Sequence, residues 1–155
     1  MQKPITPCLW FDGNAREAAE FYTSIFPDSK MGGVAHAPEG GTPSNAPGEE
    51  MVVEFTLNGQ NFVGLNGGPM FTFSEAISFQ IFCADQAEVD HYWDSLVAGG
   101  EASYCGWLKD KFGLSWQVVP LPVLELLNSP KGQTAFAAIN KPEKIVIADV
   151  QAACA

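Results

Sequence analysis

A chain of 155 residues, 46% of them hydrophobic, has the usual size of one compact domain and is long enough to bury a core. With 18 acidic and 8 basic residues the formal net charge is -10, which disfavours nucleic acid and anionic membrane surfaces, because both need positive charge against phosphate. No run reaches the roughly 18 apolar residues that span a bilayer, and the opening MQKPITPCLWF lacks the basic-then-apolar order of a secretory signal, so a cytoplasmic protein is expected.

In chain order, the apolar run Ile5 to Phe11 reads as a strand, and Asp12, Gly13 and Asn14 as the turn into a helix. Ala18, Ala19, Phe21, Tyr22, Ile25 and Phe26 recur at helical spacing over Ala15 to Phe26, with Asn14 placed to accept from first-turn amides and Pro27 as the stop. Phe21 and Tyr22 are expected to face a sheet. A weak strand runs from Lys30 to about His36, and the Gly- and Pro-rich stretch that follows reads as a mobile loop over Pro38 to Glu50. Met51 to Leu57 and Asn61 to Asn66 read as strands joined by Asn58, Gly59 and Gln60, a hairpin turn whose residues tolerate positive φ.

The same order then returns. Ala76 to Cys83 reads as a strand and Gln86 to Ala98 as a helix, with Val89, Tyr92, Trp93, Leu96 and Val97 at the 3.6 period and Gly99-Gly100 at its end. Three more strands are expected near Ala102 to Tyr104, Trp107 to Leu108 and Leu114 to Val119. Lys109, Asp110 and Lys111 would be a solvated hairpin tip, and alternation in the last strand puts Ser115 and Gln117 on one face and Trp116 on the other. Short helices over Pro122 to Leu127, Gln133 to Ala138 and Glu143 to Ala155 are expected on the outside or on a partner. Strand, helix and several strands, twice over, make an α+β fold of two paired modules.

Reactive residues are sparse. Cys8, Cys83, Cys105 and Cys154 form no CxxC pair and have no zinc-knuckle histidine, so Cys8 and Cys83 read as small apolar strand residues. Cys105, beside Gly106 and Trp107, has no histidine near it in sequence to activate it. His36 and His91 read as surface residues. Gly64 to Gly68 follow a hairpin strand and lead to Pro69, without the strand-to-helix context in which a glycine-rich turn holds adenosylmethionine, so they read as a linking loop.

Three stretches, LWFDGNAREAAEFYTSIFP, AISFQIFCADQAEVDHYWDSLVAGG and WLKDKFGLSWQVVP, resemble the vicinal oxygen chelate superfamily of glyoxalases, bleomycin resistance proteins and dioxygenases. Within it the chain is most similar to the PhnB-like branch, often labelled a demethylubiquinone methyltransferase family, over residues 3 to 120. The resemblance implies a single domain of two βαβββ modules, residues 3–68 and 73–120, forming a curved mixed sheet and cleft, with a C-terminal helical extension over 121–155. It also implies a homodimer in which modules of both chains can complete each cavity. Relatives hold a divalent metal on cleft-facing His and Glu. Those positions fall here at Thr6 or Pro7, near Asn66, at Ser78 and at Gln117, all neutral and none histidine, so neither metal nor cofactor is expected. Asn66, Ser78 and Gln117 would instead hydrogen-bond a small ligand, with Tyr104 and Trp107 as stacking walls. The implied function is metal-free small-molecule binding. The alternative is an enzyme of the superfamily, a lyase, transferase or dioxygenase-like, using Cys105, His36, Tyr104 or a displaced metal; methyl transfer is not expected, and a purely structural dimer is a third reading.

Overall fold

The computed structural model describes residues 3–155. The chain divides into two compact units, one ending at Thr72 and the other starting at Phe73. In the first, β1 (Cys8–Phe11), α1 (Ala15–Ile25), β2 (Lys30–His36), β3 (Glu50–Leu57) and β4 (Gln60–Asn66) follow the expected order. The sheet runs β1-β4-β3-β2, with β1 parallel to β4 and the other pairs antiparallel.

Period-two alternation divides this sheet into two faces. Leu9, Phe11, Val53, Phe55, Leu57 and Phe62 are buried on the side that α1 covers with Ala15, Ala18, Ala19, Tyr22 and Ile25. The alanines let the helix approach closely: a Cβ at Gly64 would lie 3.1 Å from that of Ala15. Tyr22 stacks on Phe55 and Phe55 on Phe62, at centroid distances of 6.3 and 5.5 Å. Phe21, the other aromatic expected on the sheet, stays half-buried, because successive helical residues point about 100° apart. Asn58 and Gly59 take φ of 48° and 78°, the two positive values of a type I′ turn. The loop after β2 carries its own hydrogen bonds, with Ala37 N donating to Glu49 O at 2.7 Å and Thr42 N to Asn45 O at 2.8 Å.

The second unit contains β5 (Phe79–Cys83), α2 (Gln86–Val97), β6 (Glu101–Ala102), β7 (Trp107–Lys109) and β8 (Ser115–Pro120), followed by α3 (Leu121–Leu127), α4 (Gly132–Ile139) and α5 (Ile147–Ala153). Its sheet runs β5-β8-β7-β6, with β5 parallel to β8. Ile81, Cys83, Leu108, Trp116 and Val118 form the core with Val89, Trp93 and Leu96 of α2. The C-terminal helices dock on their own unit. The Gln86 side chain donates to Ile145 O at 3.1 Å and accepts from Ile147 N at 2.8 Å, Lys144 reaches Asp90 and Asp94, and Cys105 N donates to Ile139 O. No helix among the described residues is long and apolar enough to cross a membrane.

Candidate functional site

In the second unit, the sheet face turned away from α2 carries a polar patch among apolar side chains. Alternation brings Gln80 of β5, Ser115 and Gln117 of β8, and Trp107 and Lys109 of β7 to that face, with Gln117 paired to Gln80 on one side and Trp107 on the other. The Gln117 amide donates to Ser78 Oγ at 2.8 Å and accepts from Gln80 Nε2 at 3.4 Å. Three neutral side chains thus form one chain of hydrogen bonds, and the Ser78 hydroxyl, while accepting from Gln117, retains its own proton to donate. Tyr104 is 54% exposed in the turn before β7, where Cys105 and Gly106 take positive φ and Trp107 N donates to Tyr104 O.

Asn66 belongs to the first unit and lies on a covered face of that unit's own sheet. It ends β4 with the parity of Phe62 and Gly64, which puts it on the helix-covered face, where it is only 5% exposed. Its Oδ1 accepts from Ala15 N at 2.9 Å and its Nδ2 donates to Glu50 O at 2.9 Å, so both ends of the amide are engaged by backbone. Asn66 thereby caps α1, the task expected of Asn14, whose side chain makes no cap hydrogen bond. The parity with Phe62 was the signal for this.

The hairpin tip also differs from its expected form. Asp110 is buried, at 2% exposure, because its carboxylate organises the turn: Oδ1 accepts from Phe112 N at 2.8 Å and Leu114 N at 3.1 Å, and Oδ2 accepts from Trp116 Nε1 at 2.9 Å. An Asp three residues before Gly113, whose φ is 86°, is a recognisable Asx-turn signal. Beside it Lys109 Nζ meets Glu75 Oε1 at 2.6 Å, which holds the Glu75 carboxyl below its usual range and raises the Lys109 ammonium.

Neither Cys83 nor Cys105 is an activated thiol. Cys83 lies in the core and burial pushes its pKa up to about 11, while burial also raises that of Cys105, whose thiol donates to Asn140 Oδ1 at 3.7 Å. His91 is on the exposed side of α2 against Tyr92, and His36 is exposed at the end of β2. Thr6 Oγ1 donates to Pro4 O, and among the described residues no group of three His, Cys, Asp or Glu is placed to hold a metal ion. Ser78 and Gln117 supply a hydroxyl and an amide without compensating charge, so this donor set does not fit a divalent transition metal.

A family model for 3-demethylubiquinone-9 3-methyltransferase matches residues 3–119. The chain belongs to this PhnB-like family. Among solved structures it is similar to the PhnB protein of Bacillus cereus, whose name carries the same methyltransferase description, at 33% identity and a TM-score of 0.67 over 76% of this chain and 99% of that one. The FosX fosfomycin resistance protein of Mesorhizobium loti shares the fold at 12% identity and a TM-score of 0.54, over 83% of this chain and 99% of that one. A glyoxylase/bleomycin resistance protein/dioxygenase domain from a Frankia species does so at 12% identity and a TM-score of 0.50, over 77% and 93%. No curated protein matches the chain. The glycine-rich stretch of this family member does not fit adenosylmethionine. Gly64 is packed against Ala15, a Cβ at Gly67 would fall 2.4 Å from the Trp10 ring, and Gly68 O accepts from Trp10 Nε1 at 2.9 Å. These glycines make room for protein rather than for a cofactor.

Proposed function

We propose that this PhnB-like protein binds a small polar or aromatic molecule, without a metal, on the open sheet face of its second unit. The observation that carries this reading is the Gln80, Gln117 and Ser78 chain, neutral polar groups set in the middle of a sheet face beside Trp107. Such groups orient a ligand by hydrogen bonds, while Trp107 and Tyr104 offer faces for stacking. A homodimer is part of the reading, supported by Phe82, which shares the face of Gln80 and is half exposed. Four free cysteines fit a reducing cytoplasmic setting.

The test is a ligand screen by thermal shift, in which a ligand at a hundredfold its dissociation constant adds about 2.7 kcal/mol of stability. Hits are expected to lose their shift in Gln117→Leu. If no chemical class moves the midpoint, or the hits ignore Gln117→Leu, the reading is wrong.

A further inference from the structure

Two residues along β8 from Gln117, Ser115 shares the same open face yet has 0% exposure. Its Oγ is the one buried side-chain N or O atom among the described residues that lacks a hydrogen-bond partner. A buried hydroxyl left in this state costs stability, which makes it a site where a partner group is gained at little further desolvation cost. Ser115 lines a cavity of about 60 Å³ whose other walls include Glu75, Glu101, Ser103, Trp107 and Lys109. One water requires only ~10–15 Å³ of such space, so the cavity admits a compact head group and no more.

Charge decides what kind of head group. Lys109 is matched by Glu75 at 2.6 Å, and Glu101, opposite Lys109 in the β6–β7 pairing, makes no ion pair among the described residues. Two carboxylates to one ammonium leave the cavity negative, and the net charge of -10 adds a long-range field of the same sign. An anion entering here would meet both carboxylates or have to break the Lys109–Glu75 pair. A primary ammonium would donate to Ser115 Oγ and to the Glu101 carboxylate and lie near the Trp107 indole, which attracts cations.

We propose that this cavity takes the primary ammonium group of a small amine, whose remaining atoms lie along Trp107 and Gln117. This rests on the ligand-binding reading and names the class of molecule.

The experiment titrates the uniformly 15N-labelled full chain with propylamine, 1-propanol and sodium propionate at pH 7 and follows the amides of Lys109 and Ser115. Propylamine is expected to shift them saturably and the other two not to. Glu101→Gln and Ser115→Ala should each weaken propylamine at least tenfold, while Glu125→Gln, an exposed carboxylate on α3 away from the cavity, should leave it unchanged. Glu101 is exposed, so its variant tests the idea even if Ser115→Ala perturbs packing. Propionate binding as well as propylamine, equal response to all three, no saturation, or indifference to Glu101→Gln would each overturn the proposal. If amines fail while a screened ligand of another class is lost in Gln117→Leu, the amine assignment alone falls; if the screen is empty, the binding reading falls with it.

Discussion

The two units have the same strand order but turn their final hairpins differently. In the first, β3 passes to β4 through Asn58 and Gly59, and backbone φ values of 48° and 78° do the work. In the second, β7 passes to β8 around the buried Asp110 carboxylate, which gathers two backbone amides and the Trp116 indole. The helix starts differ as well. α2 is capped by its own neighbour Asp85, which accepts from Glu88 N, whereas α1 is capped by Asn66 across 51 residues. Three of these four devices join residues at most six apart, and only the Asn66 cap exists solely once the chain is folded. The open faces differ too: the register that joins Gln80 to Gln117 in one sheet joins Cys8 to Val63 in the other, so only the second unit presents an amide there.

The largest effect is expected at the buried carboxylate. Asp110→Ala strands three donors and should cost about 3 kcal/mol or more in urea denaturation, with lost protection of the Leu114 amide in hydrogen exchange. Gly59→Ala, which forces a side chain into a φ of 78°, should cost about 1 kcal/mol. Equal costs would erase the contrast between the hairpins.

The caps come next. Asn66→Ala removes the acceptor for Ala15 N and the donor to Glu50 O, and a loss of about 2 kcal/mol is expected, against about 1 kcal/mol for Asp85→Ala. Denaturation midpoints of the two variants measure the difference; a smaller loss for Asn66→Ala would mean that Asn14 takes over the cap.

Ser115→Ala should act in the opposite direction. Removing the unpartnered hydroxyl is expected to raise the stability of the ligand-free protein by about 1 kcal/mol, and a loss of similar size would show that the hydroxyl is already satisfied.

The smallest effect is at the surface. The Arg16 guanidinium, bonded to Glu50 at 2.6 to 2.9 Å, holds the Glu50 carboxyl below its usual value, and Lys109 does the same to Glu75. A depressed folded-state pKa contributes stability above the unfolded value of about 4.3, lost as pH falls through the folded one. Glu50→Gln and Glu75→Gln should therefore each flatten the acid limb of stability below that pH, and added salt should shrink both effects; an unchanged limb in either would show that the pair has no net effect.

Much of this architecture is legible in the sequence. The helix of Tyr22 and Ile25, the strand of Val53 and Phe55 and the Asn58-Gly59 turn all rest on periodicities or dihedral preferences within about ten residues, and the structure follows them. The parity of Ser115 and Gln117 is legible as well. The burial of Ser115 is not, since residues from 75 to 109, brought in by the Lys109–Glu75 pair and the β6–β7 ladder, wall it in. Asn66 is read as a ligand contact when judged by position in a motif, and as a helix cap when judged by its parity with Phe62 and its partners Ala15 and Glu50.

By itself the sequence determined the alternation of strands and helices and the two repeated modules, because these depend on residue type and short-range order. Only the tertiary structure decided that Asn66 serves a helix and that Ser115 lacks a partner. A hydrogen bond forms within about 3 Å, and which donors and acceptors come that close, with water excluded, is settled here by packing between segments distant in the chain.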